Sequence, residues 1–248
     1  MLTVLLAGHF FAIAINIDEV RKVHHDLHRL YHDDIAKYAP PASRLVIRDI
    51  YELIPSEIGS KNKRFKLSSI EGVKRFSQAT DQFLWLSEAG VALPVYSVSA
   101  PTAPLLVGEQ RNLLKLFYLD VGMLMSSYSK KATQEVFDGA AEGAFGMNMG
   151  AAYEGFVAQE LKAHGFKLRY FSSKKVGELD FVEETLAGEV LAIEVKSGKR
   201  YKTHAALDNA LATKGYGIDR ALVFAESNLF CDGDVLYMPI FMADLLEP

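Results

Sequence analysis

The sequence predicts an α/β protein with a mainly helical first half and a second half in which strands follow a helix. Apolar residues recur at helical spacing between Arg44 and Gly90, whereas short alternating or apolar runs dominate after Gly150. The 248 residues are 50% hydrophobic and 23% charged, which is typical of a folded, soluble protein with a sizeable core. Proline and glycine punctuation divides the chain near residues 40 and 127, so we expect three parts.

Composition excludes several classes of protein. A single cysteine, Cys231, rules out an internal disulfide framework and a cysteine-rich zinc site. The net charge of −4, from 27 basic and 31 acidic residues, disfavours a generic nucleic-acid coat but allows local basic patches. We therefore expect a protein of the reducing cytoplasm.

Residues 1–15 are almost wholly apolar, and they open the predicted N-terminal helical segment, residues 1–40. No lysine or arginine precedes the apolar run, and no small-residue cleavage site follows it, as a signal peptide would require. The run is also shorter than the roughly 20 residues needed to span a bilayer. We expect a buried helix or strand and no membrane partner.

Three histidines lie at helical spacing later in this segment, which ends at Pro40-Pro41. His24, His28 and His32 repeat every fourth residue, and two histidines one turn apart can bind a metal. No glutamate completes an HExxH pattern, so we interpret the stripe as a solvated helix face.

Residues 41–127 are predicted to form a winged-helix-like domain. The expected elements, in order, are a helix ending near Gly59, a basic loop, a helix from Ser68 or Ser69 to Gly90, extended Val91–Val98, a turn at Pro101–Pro104 and a helix over Leu113–Met125. Helix, turn, helix and β-ribbon in this order resemble a winged helix-turn-helix.

The basic loop supplies candidate DNA contacts. These are Lys61, Lys63, Arg64 and Lys66. Such a loop can contact phosphates, but charge runs are also common in solvated loops, and several winged-helix modules bind protein instead. Both interpretations stay open.

Residues 128–248 are predicted to form a domain with the order αβββαβ. The expected elements are the helix Gly150–His164, the strands Lys167–Phe171, Glu178–Val182 and Val190–Lys196, a helix around Leu207–Leu211 and the strand Ala221–Phe224. On the first helix, Glu154 lies at the edge of the apolar stripe and Glu160 lies nearer its centre.

Alternation within two of these strands brings three charged residues to one face. Leu179 and Phe181 point one way and Asp180 the other, while Glu194 and Lys196 alternate with Val195. Two carboxylates form an oxygen site suited to Mg²⁺ or Mn²⁺, and the lysine could hold or deprotonate a water for attack on a phosphodiester. Lys199 and Arg200, beside this site, could steer a phosphate backbone towards it.

These residues resemble the PD-(D/E)xK signature of restriction-endonuclease-like folds. Asp180 matches the metal-binding aspartate of the motif, and Glu194 and Lys196 match its ExK pair. Glu154 matches the glutamate that many members carry on the preceding helix. The resemblance implies metal ligation by Asp180 and Glu194 and catalytic roles for Lys196 and Glu154. An ordinary solvated ion pair between Glu194 and Lys196 is the alternative.

Nearly the whole chain also resembles one large prokaryotic family of AAA-type ATPases. The resemblance rests on Leu5–Gly8, Arg48 with Ile54-Pro55, Asn62–Lys66, Leu116–Leu124, Glu154–Leu161 and Glu194–Gly198. Members join an ATPase to a C-terminal domain of unknown function with a PD-(D/E)xK-like fold. No GxxxxGK[ST] phosphate loop occurs in this chain, and Gly8-His9-Phe10 replaces the family's Gly-Gly-Met-Pro-like turn. We expect no ATPase activity, and the resemblance implies a C-terminal half that is truncated or encoded separately.

Two functions follow as hypotheses. The first is Mg²⁺-dependent DNA processing by a nuclease-like site, in a protein that could act as a homodimer, as resolvase-like folds often do. The second is a non-catalytic module that binds DNA or a protein, for example a separate ATPase subunit. Metal-independent binding without cleavage would distinguish the second from the first.

Overall fold

The computed structural model of the chain describes residues 16–137 and 149–248. The apolar segment 1–15, for which a buried helix or strand is expected, lies outside the described residues. Within them the chain forms two compact units, one of residues 16–94, 115–137 and 149–152, the other of residues 95–114 and 153–248. Residues 95–114, predicted to belong to the winged-helix-like domain, are thus part of the second unit. No helix in the two described ranges is long and apolar enough to cross a membrane.

The predicted α/β class is confirmed, with a helical first half and mixed sheets in the second. The helices of the first half are α1 (Ile17–Tyr38), α2 (Arg44–Gly59), α3 (Thr80–Glu88), α4 (Val121–Ser126) and α5 (Lys130–Phe137). The Asn16 side chain caps α1 by accepting the amides of Asp18 and Glu19, and α1 ends just before the Pro40-Pro41 pair. The bounds of α2 confirm the helix that was predicted to end near Gly59.

A buried polar network joins α1 to α2 and α4. His28 Nδ1 lies 2.5 Å from the Tyr51 hydroxyl, and His28 Nε2 lies 3.2 Å from the Met123 carbonyl oxygen. His24 is only 6% exposed, and its Nε2 lies 3.8 Å from Asp120 Oδ2. The interpretation of the histidine stripe as a solvated face is therefore wrong. Burial lowers the pKa of His28, which favours the neutral imidazole in this contact.

Two helices predicted in the first half are wrong in extent. The segment from Ser68 to Gly90 forms 3₁₀ turns at Leu67–Ser69 and Phe76–Gln78 before α3, and Gly72 has a φ of +76° that interrupts any continuous helix. Residues 113–118, predicted as helix, form the end of a strand. Leu114, Leu116 and Phe117 are all buried, so both faces of this run are buried and its periodicity cannot distinguish strand from helix.

The strands form two sheets. They are β1 (Ala92–Val98), β2 (Glu109–Tyr118), β3 (Arg169–Ser173), β4 (Gly177–Leu179), β5 (Phe181–Glu184), β6 (Val190–Val195), β7 (Arg220–Ala225), β8 (Phe230–Asp232) and β9 (Val235–Pro239). One sheet has the order β2-β1-β3-β4 and the other the order β5-β6-β7-β9-β8. In the second sheet β6, β7 and β9 are parallel, while β5 and β8 are antiparallel to their neighbours.

The second unit contains the predicted αβββαβ order with two differences. Helix α6 (Met149–Ala163) precedes β3, and α7 (Ala205–Leu211) connects the parallel strands β6 and β7. The strand predicted over Glu178–Val182 is divided at Asp180 into β4 and β5, and β8 and β9 extend the sheet beyond the predicted strands. Leu207 and Ala210 of α7 belong to one buried apolar cluster with Val182 and Ala192 of the sheet.

We predict that Gly122→Ala destabilises the first unit by about 1–3 kcal/mol, because a Cβ atom on residue 122 would lie 2.3 Å from His24 Nε2. Urea unfolding measures this free energy. Gly59→Ala is the matched control, since its Cβ would meet only the Tyr128 hydroxyl, at 3.9 Å. Equal stability of the two variants would contradict the close approach of α1 and α4.

Candidate functional site

Asp180 occupies the point where one extended segment leaves one sheet and enters the other. β4 pairs with β3 up to Leu179, and β5 pairs with β6 from Phe181 onwards. The Val195 amide therefore has no partner in the β5–β6 ladder, and it donates instead to Asp180 Oδ2 at 2.9 Å. This bond holds the Asp180 carboxylate against the end of β6.

Glu194 lies close to Asp180 at the end of the β5–β6 ladder. The last pair of this ladder joins Phe181 to Ile193, and Asp180 and Glu194 are the residues next to that pair on the two segments. Both side chains are buried, 8% exposed for Asp180 and 5% for Glu194. Two buried like charges close together are destabilising, so packing alone does not explain this pair.

The electrostatics of Glu194 follow from this placement. Its pKa is raised, first by burial and then by the negative charge of Asp180, with a smaller contribution from Glu154. Lys196 acts in the opposite direction. Glu194 Oε2 is buried and has no hydrogen-bond partner, which is costly for a carboxylate oxygen. The arrangement therefore offers this oxygen to a cation.

Lys196 extends β6 by one residue and stays close to this carboxylate. Its amide donates to the Phe224 carbonyl oxygen at 2.8 Å, and its ammonium donates to Glu194 Oε1. The side chain is 27% exposed, so its end reaches solvent while its stem is covered. Three hydrogen bonds thus bring the predicted set of Asp180, Glu194 and Lys196 together. The Val195 amide holds Asp180, the Phe224 carbonyl oxygen holds the Lys196 backbone, and the Lys196 side chain donates to Glu194.

Glu154 lies on α6 and is 2% exposed. Its charge contributes to the raised pKa of Glu194, so the helix carboxylate belongs to the same electrostatic cluster. The preceding residue shows a contact that sequence reasoning missed. The Tyr153 hydroxyl donates to Glu226, which follows β7 directly. Glu226 carries no motif or apolar pattern, so nothing in the sequence indicated it.

The proposed DNA-contacting residues fall into two separate groups. Lys61, Lys63, Arg64 and Lys66 lie in the loop after α2, in the first unit, and Lys199 and Arg200 lie in the loop after β6, in the second. Buried Glu57 fixes the first loop by accepting the Lys66 amide at 2.9 Å and the Ser69 hydroxyl at 2.6 Å. Lys61, Lys66, Lys199 and Arg200 are exposed, whereas Lys63 and Arg64 are half-buried.

The donors of this cluster, which we call the carboxylate site (Glu154, Asp180, Glu194 and Lys196), fit a hard divalent cation in part. Asp180 and Glu194 supply oxygen atoms, and the unpartnered Glu194 Oε2 gives one of them a free lone pair. The three carboxylates do not form a closed cage. In residues 16–137 and 149–248, only Glu160, His164 and Asp244 bring three ligand atoms within 4.8 Å of one another. Mg²⁺ suits an incomplete set, because it usually keeps several waters and takes one or two carboxylates.

Two family models match parts of this chain. Residues 149–240, which include the carboxylate site, match the family described as "Domain of unknown function (DUF4143)", a domain common in proteins associated with AAA-type ATPases. Residues 10–134 match the family described as "Domain of unknown function (DUF8612)" over just more than half of the chain. No curated protein and no solved structure matches the chain. The chain therefore belongs to the family of the domain of unknown function DUF8612, and it carries a DUF4143 match in its second half.

Proposed function

We propose that this protein is a Mg²⁺-dependent, nuclease-like DNA-processing protein that acts through the carboxylate site. The observation that carries the proposal is that buried Asp180, bonded to the Val195 amide, lies close to buried Glu194, one of whose oxygens has no hydrogen-bond partner. A single ion pair with Lys196 leaves one of these two carboxylates unbalanced, whereas a divalent cation can balance both. The resemblance of Asp180, Glu194 and Lys196 to the PD-(D/E)xK signature supports the same assignment.

Each residue of the carboxylate site has a distinct task in this proposal. Asp180 and Glu194 hold the cation, and Asp180 is oriented for this by the Val195 amide. When bound, Mg²⁺ would stabilise the negative charge that develops on the phosphoryl oxygens. Lys196, whose Nζ donates to Glu194, orients the attacking water, and Glu154 accepts a proton from that water. The water oxygen forms the new bond to phosphorus while the sugar oxygen leaves.

DNA is the substrate that the surrounding charges favour in this proposal. Lys199 and Arg200 are exposed three and four residues beyond Lys196, where they would meet a phosphate backbone. The basic loop after α2 would supply further phosphate contacts. The occurrence of DUF4143 with AAA-type ATPases supports a separate ATPase as a partner. The chain itself lacks a phosphate loop, so we assign it no ATPase activity.

A second candidate function is a non-catalytic recognition module. It is favoured by the ion pair of Lys196 with Glu194, which can neutralise both charges without any metal. In such a module the carboxylate site would be structural, and the basic loop held by Glu57 would contact DNA or a partner protein. This candidate predicts DNA binding that no divalent ion affects and no cleavage under any condition.

We predict that the protein binds one equivalent of Mg²⁺ and that Asp180→Asn abolishes this binding, because the variant removes one charged ligand but keeps an oxygen for the Val195 amide. Calorimetric titration, repeated with DNA present, measures it. Asp219→Asn is the matched control, since Asp219 Oδ2 accepts the Val190 amide at 2.7 Å at the other end of β6. Equal binding by both variants, or none by the wild type, would favour the recognition module.

We predict that Lys196→Met lowers Mg²⁺-dependent DNA cleavage by at least about 100-fold, because the variant removes the group that orients the attacking water. A cleavage screen with duplex, branched and single-stranded DNA measures the rate. Lys214→Met, at an exposed lysine outside the carboxylate site, should cleave as the parent does. Full activity of Lys196→Met would refute the assigned role of this lysine.

The raised pKa of Glu194 predicts how stability depends on pH. The folded protein binds this proton more tightly than the unfolded chain, whose glutamates titrate near 4.5. The contribution of Glu194 to the free energy of unfolding is therefore lost as pH rises above 4.5, at up to about 1.4 kcal/mol per pH unit. Relative to the wild type, Glu194→Gln should gain stability over the same range in urea unfolding.

Saturating Mg²⁺ should remove this loss in the wild type, because the cation stabilises the ionised carboxylate. Glu183→Gln is the control. Burial also raises the pKa of Glu183, to about 8, but its contact is the Arg169 amide at 2.9 Å. That variant should keep the Mg²⁺ response, and parallel wild-type and Glu194→Gln profiles would contradict the prediction.

A further inference from the structure

A second group of metal-ligating side chains lies at the C-terminal end of α6, outside the carboxylate site. Glu160 is on the last turn of α6, and the His164 amide still donates to the Glu160 carbonyl oxygen at 3.0 Å, so the two side chains lie one turn apart. Asp244 comes from the 3₁₀ helix Ile240–Leu245. One ligand atom from each residue lies within 4.8 Å of the other two.

Both elements that supply these ligands are well anchored. Leu161 fixes the end of α6 in the core, and Ile240 and Ala243 bury the 3₁₀ helix on either side of its turn. Glu160 and His164 are half-buried, whereas Asp244 is exposed. Buried neighbours therefore fix the backbone that carries the three ligands, while the ligand side chains are at least partly exposed to solvent.

The distances already approach those of a metal centre. His164 Nε2 and Asp244 Oδ1 are 3.4 Å apart. Two ligands that each lie about 2.1 Å from a tetrahedral Zn²⁺ ion are separated by about 3.4 Å, so this pair needs almost no movement. An oxygen of the half-buried Glu160 carboxylate lies within 4.8 Å of both partner atoms, so rotation of its side chain would complete the set.

Charge points to a divalent cation. Glu160 and Asp244 bring two negative charges together, and the pKa of Glu160 is raised, first by burial and then by the Asp244 carboxylate. A neutral imidazole and two carboxylates carry a total charge of −2, which a divalent ion balances. One nitrogen and two oxygen ligands favour Zn²⁺ or a similar transition metal over Mg²⁺, which prefers oxygen alone.

We propose that Glu160, His164 and Asp244 bind one Zn²⁺-class transition-metal ion, with the remaining coordination position open to water. Three protein ligands and one water are a common zinc arrangement. The ion would tie the end of α6 to the C-terminal 3₁₀ helix. This site uses none of the residues of the carboxylate site, so the two assignments succeed or fail separately.

Titration of the full chain with Co²⁺, a coloured substitute for Zn²⁺, tests the proposal. We expect one equivalent to bind with visible absorption, and Zn²⁺ to displace it and raise the thermal midpoint. His164→Gln, Asp244→Asn and Glu160→Gln should each weaken binding by at least about tenfold. Circular dichroism checks that each variant is folded, and all three ligands lie at least partly exposed, so loss of the fold is not expected.

Two further variants separate this site from other metal-binding groups. His25→Gln and Cys231→Ser remove an exposed histidine and the exposed thiol. Both should bind Co²⁺ as the wild type does. Absence of stoichiometric Co²⁺ binding, or unchanged affinity in folded His164→Gln, would overturn the proposal.

Discussion

The hydrogen bond from the Val195 amide to the Asp180 carboxylate is the interaction on which the carboxylate site depends. It is needed because the extended segment changes sheets at Asp180, which leaves a buried amide of β6 without a strand partner. A side chain makes the bond that the backbone cannot make, and in doing so it places a negative charge close to Glu194. The same hydrogen bond therefore provides an acceptor for the Val195 amide and brings the two acidic side chains together.

The two ends of β6 differ in the charged groups that surround them. Asp219 also accepts an amide of β6, that of Val190, so carboxylate capping of this strand occurs twice. At the Asp180 end a second buried carboxylate, Glu194, bonds to a lysine, whereas the buried Glu183 near the other end accepts the Arg169 amide. Capping alone accounts for one aspartate at each end. The excess of charge at the Asp180 end is what the proposed cation would balance.

Sequence reasoning predicted the elements well where a pattern had one physical cause. The end of α2 near Gly59 and the α/β class both follow from periodicity, which the structure preserves. Reasoning was wrong where burial on both faces removed the pattern, as in residues 113–118, and where a polar stripe was buried, as at His24. The contact of Tyr153 with Glu226 and the grouping of Asp244 with His164 depend on residues 73 and 80 positions apart, which no local pattern records.

The change of sheets at Asp180 also constrains how the gene for this protein can vary. A substitution near residue 180 changes one side chain. Inserting or deleting a single residue between Leu179 and Phe181 would instead reverse the face to which every later residue of β5 points, or would move the Asp180 carboxylate away from the Val195 amide. The length of this short connection is thus under stricter control than the identity of most of its neighbours.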